Sequence, residues 1–141
     1  MSDLHIRSAA LTDIDTVLEF WRAAAEGTSI SDDHDGVARL FSRDPEALLL
    51  AERDGVLVGT VIAGFDGWRC SAYRLAVDPH CRRQGIATAL MEAAEQRFAA
   101  LGGRRVDAMV LEANERAHRT WAAGGYHRED HWRRWVKPLR G

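Results

Sequence analysis

The stretch that decides the fold is "DPHCRRQGIATAL", residues 78–90. It starts after an apolar run, passes through two arginines and an amide, and reaches Gly85 just before a helical pattern begins. The apolar residues that follow share one face of a helix: Ala87, Leu90, Met91, Ala94, Phe98 and Leu101. We therefore predict a helix over 84–101, ended by Gly102-Gly103 and preceded by a basic loop.

The residues on either side of this helix predict strands. Asp54-Gly55 and Asp66-Gly67 each separate two apolar, β-prone runs, which is the strongest short-range signal for a hairpin. The pattern predicts an antiparallel meander of strands at about 46–53, 56–65 and 69–77. The apolar run at 104–112 predicts a further strand, which a right-handed crossover through the helix would place parallel to 69–77.

The remaining predicted elements complete one sheet with helices around it. In chain order they are a strand at 4–9, a helix from a Thr12 N-cap to Gly27, an acidic loop at 28–36, a short helix at 37–44, a helix between Asn114 and Gly124, and one or two strands within 126–139. This order predicts an α/β (α+β) fold with a mixed sheet of six or seven strands and about four helices. The 141 residues suit one domain, so we expect residues 1–141 to form a single unit.

Composition narrows the functional classes. The net charge of −2 gives no overall case for nucleic-acid binding, although residues 1–66 carry a balance of −8 and residues 67–141 one of +6. Cys70 and Cys81 form no CxxC motif and are expected to be free thiols. The N-terminus has no apolar signal core, and no apolar run is long enough for a membrane span, so we expect a cytoplasmic protein. The six histidines show no spacing typical of a metal site except His127 and His131, whose spacing suits a helix in a segment that is predicted as strand.

The basic loop has the chemistry of an anion site. A helix N-terminus has four backbone N–H groups without partners and a partial positive charge, so phosphates bind there. Gly85 leaves room for a ligand oxygen, Ala87 is small, and Thr88 adds a hydroxyl, while Arg82 and Arg83 add cationic donors. The alternative is a tight turn with solvated arginines. The loop is neither a Walker motif nor a dinucleotide fingerprint, because GK[ST] and GxGxxG are absent.

Two motifs together resemble a known family. "YRLAVDPHCRRQGIATAL" resembles the central motif of the GNAT superfamily of acyl-CoA-dependent N-acyltransferases, and "NERAHRTWAAGGY" resembles its second motif, N-x-x-A-x-x-x-Y-x-x-x-G-F. The strand order is similar as well, so the resemblance covers nearly the whole chain. It implies a GNAT fold in which strands 69–77 and 104–112 are parallel and splay apart to admit the cofactor. It also implies acetyl-CoA as acyl donor, an amine as acceptor and no metal.

The resemblance implies a role for each matching position. The cofactor-binding residues would be Leu75, Ala76 and Val77 along the pantetheine arm, Arg82, Arg83, Gln84, Gly85, Ile86, Ala87 and Thr88 around the pyrophosphate, Asn114 at the pantetheine, and Ala117 and Trp121 at the thiol end. The backbone N–H of Ala76 would polarise the thioester carbonyl, which is a catalytic role. In the loop 26–35, Glu26 and Asp32 would contact a cationic acceptor, unless the loop is simply solvated.

The sequence departs from the family where proton transfer is expected. Trp121 stands where the family usually has the Tyr that protonates the departing thiolate, and an indole N–H is not an acid at any relevant pH. Ser71 and Met109 stand where members often have a basic Glu. Tyr73, placed by alternation on the face of Ser71 and Leu75, is a catalytic candidate, with a core aromatic as the alternative.

These observations favour an N-acetyltransferase that moves an acetyl group from acetyl-CoA to a primary amine of a small molecule or peptide by direct attack. The alternative is a catalytically weak acyl-CoA-binding or regulatory module of the same fold. We expect no nucleic-acid and no membrane partner, and a homodimer remains open. The aromatic and arginine residues of "HWRRWVKPLR" suit single-strand nucleic-acid binding, but a terminal strand with one wet face is the favoured interpretation.

Overall fold

A computed structural model describes residues 3–25 and 29–139 of the chain. The elements in that part are β1 (His5–Ser8), α1 (Ile14–Ala24) after a short 3₁₀ turn, α2 (His34–Arg43), β2 (Leu48–Arg53), β3 (Val56–Phe65), β4 (Cys70–Val77), α3 (Ile86–Ala100), β5 (Val106–Ala108) and α4 (Glu115–Ala123). The strands form one sheet in the order β1-β2-β3-β4-β5. All neighbours are antiparallel except β4 and β5, which are parallel. The predicted mixed α/β fold is confirmed.

The first Asp-Gly pair makes the tight hairpin that the sequence predicts. Asp54 has φ 55° and Gly55 φ 76°, and two left-handed residues in succession match the twist of the joined strands. At the second pair, the Asp66 carboxylate accepts hydrogen bonds from the backbone N–H groups of Trp68 (2.8 Å) and Arg69 (2.7 Å). The two Asp-Gly turns, each formed by neighbouring residues, therefore join β2, β3 and β4 into a meander.

Two apolar clusters cover the two faces of the sheet. On one face α3 packs against the central strands through Ile86, Leu90, Ala94 and Phe98. On the other face α1 and α2 pack through residues such as Val17, Trp21 and Val37. Gly59 of β3 allows the first turn of α3 to lie close, because a Cβ at this position would be 2.9 Å from both Ile86 Cγ2 and Leu90 Cδ1. The N-terminus of α3 is therefore fixed against the sheet.

The C-terminal third differs most from the prediction. The sheet has five strands in the described residues, not six or seven, because β5 covers Val106–Ala108 instead of 104–112 and no strand occurs within 126–139. Met109 is 65% exposed, so the apolar run does not continue as a buried strand. Trp132 and Trp135 are three residues apart, a spacing that cannot place both on one face of a strand, and both are exposed.

Two helix starts also differ from the prediction. Thr12 does not cap α1: it lies in the 3₁₀ turn, and Asp13 is the N-cap residue, with a carboxylate that accepts from Ala10 N (2.7 Å) and pairs with Arg7. Helix α2 begins at His34 rather than 37, because Asp33 caps it by accepting from Gly36 N (2.8 Å). The predicted end of the first helix at Gly27 lies outside the described residues.

Candidate active site

The loop between β4 and α3 has the open backbone geometry that the sequence predicts. Asp78 Oδ1 accepts from His80 N (2.8 Å), which closes a short 3₁₀ turn at the start of the loop. Arg83 (φ 65°) and Gly85 (φ 79°) are both left-handed, and Gly85 is the N-cap residue of α3 without a side-chain cap. A Cβ added at Gly85 would have no heavy atom within 4 Å. The first amides of α3 are therefore next to open space.

The cations around this loop include one that the sequence analysis missed. Of the two arginines in the loop, Arg82 is half-buried and Arg83 is exposed. Arg53, at the end of β2, donates from Nη1 to Gln84 Oε1, and its buried Nε has no hydrogen-bond partner among the described residues. The Asp54-Gly55 turn brings Arg53 here, since antiparallel β3 and β4 place that turn beside the end of β4.

A cavity of about 260 Å³ between α3 and α4 brings the two sequence motifs together. It is lined by Leu75 of β4, by Ala87, Thr88, Met91, Glu92 and Glu95 of α3, by Thr120, Trp121 and Ala123 of α4, and by Gly124 and Tyr126. Leu75, Ala87, Thr88 and Trp121 were expected to bind the cofactor. A larger cavity of about 470 Å³ between β1 and α3 contains none of the expected residues. We therefore take the smaller cavity as the candidate site.

None of the other expected cofactor residues lines this cavity. The side chain of Ile86 is buried in the core, so only its backbone can face a ligand. Ala76 is also buried, while Val77 packs against the core on the side of α3. Asn114 caps α4, because its Oδ1 accepts from Ala117 N at 3.1 Å. Asn114 and Ala117 therefore lie at the start of α4, the helix that also carries Trp121.

A β-bulge in β4 changes which side chains share a face. Thr60 pairs with Ala76 and Ile62 with Tyr73, so Arg74 and Leu75 together oppose one residue of β3. Cys70 and Ala72 pack on the α3 face before the bulge, and Leu75 and Val77 do so after it. Simple alternation was therefore wrong in placing Tyr73 on the face of Leu75.

Tyr73 lies on the opposite face, towards α1 and α2. Its partner Ile62 packs there, as does the buried Ala76. The Tyr73 side chain is 53% exposed, so it is not a core aromatic residue. It is accessible from the face on which Asp32 lies.

Asp32 is joined to the bulge by an ion pair. Arg74 Nε donates to Asp32 Oδ1 at 3.2 Å, and Nη2 of the same guanidinium contacts Oδ2. Asp32 Oδ2 also accepts from Ser29 N at 3.1 Å. The negative charge of Asp32 is thus balanced within the protein. Glu26, the other expected acceptor residue, lies outside the described residues.

Tyr126 is a cavity residue that the sequence analysis did not select, because it stands at the position of the family's Phe. Its ring packs edge-to-face on Trp121 with centroids 4.8 Å apart, and its hydroxyl donates to Glu95 Oε2 at 2.6 Å. Burial and the hydrogen bond to Glu95 raise the pKa of Tyr126 well above the usual value for a phenol. Tyr126 therefore stays protonated and holds α4 against α3.

The positions where the family often has a basic Glu carry no such group here. Ser71 pairs with Asp107 across β4 and β5, and the Asp107 carboxylate accepts from Arg105 Nε at 2.8 Å. Met109 lies beyond the end of β5 and is exposed. Within residues 3–25 and 29–139, no three His, Cys, Asp or Glu side chains are grouped to hold a metal, and no helix is long and apolar enough to cross a bilayer.

Comparisons with known proteins identify the family and the fold. The sequence profile of the acetyltransferase (GNAT) family matches residues 14–126. An acetyltransferase of Pectobacterium atrosepticum is 35% identical over 112 residues, which is 79% of each chain. The fold is similar to that of the PaiA N-acetyltransferase of Thermoplasma acidophilum, solved with coenzyme A (TM-score 0.78, 18% identity, 91% of this chain and 92% of the other). It is also similar to that of diaminobutyrate acetyltransferase of Paenibacillus lautus, solved with its substrate and coenzyme A (TM-score 0.71, 22% identity, 87% and 75%). The chain belongs to the acetyltransferase (GNAT) family.

Proposed function

We propose that this protein transfers an acetyl group from acetyl-CoA to a primary amine of a small molecule or peptide. The observation that carries the proposal is the cavity between α3 and α4, in which Leu75 of the central motif and Trp121 of the second motif line one space. The uncapped N-terminus of α3 lies beside the same space. A single elongated ligand with a phosphate end and an apolar thiol end fits this arrangement.

The α3 N-terminus would hold the pyrophosphate of the donor. The backbone N–H groups from Gly85 to Thr88 have no intrahelical acceptor and lie at the positive end of the helix dipole. Arg82 and Arg83 would add charge-assisted hydrogen bonds, each contributing about 1.5–3 kcal/mol. Arg53, whose Nη1 donates to Gln84 Oε1, adds a further positive charge beside the loop.

The pantetheine arm would follow the end of β4 into the cavity. β4 pairs with β5 only from Cys70 to Ala72 and continues to Val77, so its last residues have backbone groups to offer on that side. Asn114 carries two amide N–H donors in addition to the oxygen that caps α4. Ala117 and Trp121 would enclose the thiol end.

The reaction would be a direct attack by a neutral amine on the thioester carbonyl. An alkylamine has a pKa of about 10.4, so a proton must leave before attack. The C–N bond then forms while the carbonyl oxygen gains negative charge, which the backbone N–H of Ala76 would stabilise. Collapse breaks the C–S bond and releases CoA as a thiolate. The amine proton passes to solvent, and the Tyr73 hydroxyl, on the same face as Asp32, is the candidate group for relaying it to water.

Water is the proposed proton donor to the departing thiolate. Trp121 cannot release its indole proton. Tyr126 is a poor acid here, since its pKa is raised and its proton is shared with Glu95. A thiol has an ordinary pKa of about 8.5, so at neutral pH the thiolate is protonated at equilibrium without a strong acid beside it; water relays the proton, and the amine releases one in the same reaction.

The acceptor would approach from the α1 and α2 face. Asp32 would contact it there with the carboxylate lone pairs that Arg74 and Ser29 do not use, together with Glu26 from the same loop. Because Arg74 already balances the negative charge of Asp32, we expect Asp32 to orient the amine rather than to attract it by a net charge.

The alternative is an acyl-CoA-binding module with weak turnover. The residues at positions 121, 71 and 109 favour it, because the side chains of Trp121, Ser71 and Met109 are neither acids nor bases. The discriminating experiment measures thiol release from acetyl-CoA with a panel of diamines, aminoglycosides, amino acids and peptides. Release that requires an amine supports the transferase, whereas tight acetyl-CoA binding with no amine-dependent release supports the binding module.

A further inference from the structure

A buried threonine holds the bulge of β4 from below. Thr60 of β3 is 0% exposed, and no other hydroxyl, amide or charged side chain among the described residues is buried. Its hydroxyl donates to the Arg74 carbonyl oxygen at 2.8 Å and accepts from Trp21 Nε1 at 2.9 Å. These two hydrogen bonds connect helix α1 to the bulge through the interior of the protein.

Arg74 is the strained point of the bulge. Its φ of 52° is left-handed, a conformation that residues with a Cβ seldom adopt. Its guanidinium is bound by Asp32 and lies 5.8 Å from the centre of the Trp21 ring. A strained conformation persists only where its surroundings determine it. The hydrogen bond from Thr60 constrains the backbone of Arg74, and the contacts to Asp32 and Trp21 constrain its side chain.

The bulge determines on which face of the sheet the side chains at the end of β4 lie. Strand residues alternate between faces, so the one extra residue moves Leu75 to the α3 face, where it lines the candidate cavity. Without the bulge Leu75 would point to α1 instead. The backbone at Leu75 and Ala76 is also the part of β4 that would contact the thioester.

We propose that Thr60 and Trp21 are positioning residues for acyl transfer: they fix the β4 bulge and thereby align the backbone of Leu75 and Ala76 with the thioester carbonyl. Neither side chain contacts acetyl-CoA, because both are buried beneath the strand. The inference rests on the proposed function and deepens it. A 1 Å displacement of a reacting group can lower a rate about 100-fold, so a small shift of the bulge has a measurable consequence.

The test compares three variants by steady-state kinetics. Thr60→Val keeps the shape of the side chain but loses the donor to Arg74, and we expect kcat to fall about 10- to 100-fold with the KM for acetyl-CoA changed less than about threefold. Thr60→Ser restores the hydroxyl and should recover most of the lost kcat. Val17→Ala removes buried volume on the same face of α1 but no hydrogen bond of the network, so it controls for a general loss of stability.

Hydrogen exchange gives a readout that does not depend on turnover. In Thr60→Val the amides of 73–77 should exchange faster than in the wild type, while those of α3 are unchanged. A kcat within threefold of wild type, a Thr60→Ser variant as impaired as Thr60→Val, or unchanged exchange in β4 would overturn the proposal. If Thr60→Val does not fold, Trp21→Phe takes its place, and a wild-type kcat in that variant overturns it. If the wild type acetylates no amine, the proposed function fails, and exchange alone decides whether Thr60 holds the bulge.

Discussion

Replacing Gly85 by Glu separates the role of the loop in cofactor binding from its role in folding. Gly85 has φ 79°, and a Cβ there would have no heavy atom within 4 Å, so the main cost to stability is backbone strain. For a residue with a Cβ in the left-handed region that cost is about 1–2 kcal/mol. In a domain of this size it lowers Tm by about 3–8 °C. The same carboxylate would stand among the phosphates of the cofactor.

Gly102→Glu is the matched control. Gly102 has φ 88° and equally open surroundings, but it lies just beyond the C-terminal end of α3, away from the loop. Its strain cost should be similar, with about 0.3–1 kcal/mol more from a negative charge near the negative end of the helix. Both variants should therefore be destabilised to a comparable degree, and any difference in cofactor response belongs to the site.

The assay is the thermal shift with CoA, checked by calorimetry. At 100 times its Kd, CoA should stabilise the wild type and Gly102→Glu by about 2.7 kcal/mol. If Gly85→Glu weakens binding 100-fold, the same CoA concentration adds only about 0.4 kcal/mol. A Gly85→Glu variant that binds CoA with wild-type affinity would refute the assignment of this loop to the pyrophosphate.

Three further predictions concern the cavity wall and the ion pairs. Trp121→Tyr should change turnover by less than about tenfold in steady-state kinetics, because water protonates the thiolate, whereas a gain of a hundredfold would identify the wild type as a weakened member. Arg7 lowers the pKa of both Asp13 and Glu52 through its hydrogen bonds to their carboxylates. The resulting stabilisation is present above their ordinary pKa of about 4 and is lost as the pH falls through the lowered folded-state values. The urea midpoint of Arg7→Met should therefore fall less between about pH 7 and 3 than that of the wild type, and an equal fall would contradict this. The raised pKa of Tyr126 gives stability that is present below about pH 10 and is lost above it. Between about pH 9 and 11 the urea midpoint of Tyr126→Phe should therefore fall less than that of the wild type. Parallel curves for the two proteins would show that the Tyr126 hydroxyl does not contribute to stability in this way.

The elements that could be predicted from the sequence are those that depend on residues close together in the chain. The Asp54-Gly55 turn, the apolar face of α3 and the Asn114 cap each depend on residues within a few positions of one another, and all three are present. The open loop before α3 was predicted for the same reason, since a glycine before a helix is visible in the sequence alone.

The features that the sequence did not predict depend on distant residues. The β4 bulge requires Arg74 to take a left-handed conformation beside Thr60, so alternation placed Tyr73 on the wrong side. Arg53 reaches the loop only because β3 and β4 are antiparallel neighbours. The length of β5 depends on a partner strand, so the apolar run at 104–112 overestimated it.

The central claim is that the acetyl group of acetyl-CoA ends on an amine of the acceptor. The most direct measurement incubates the protein with isotopically labelled acetyl-CoA and a mixture of primary amines, followed by mass spectrometry of the products. We predict a labelled N-acetyl amine that forms with the wild type and is greatly reduced with Gly85→Glu. Labelled acetyl-CoA that is bound but recovered intact with every amine would contradict the account and favour the binding module.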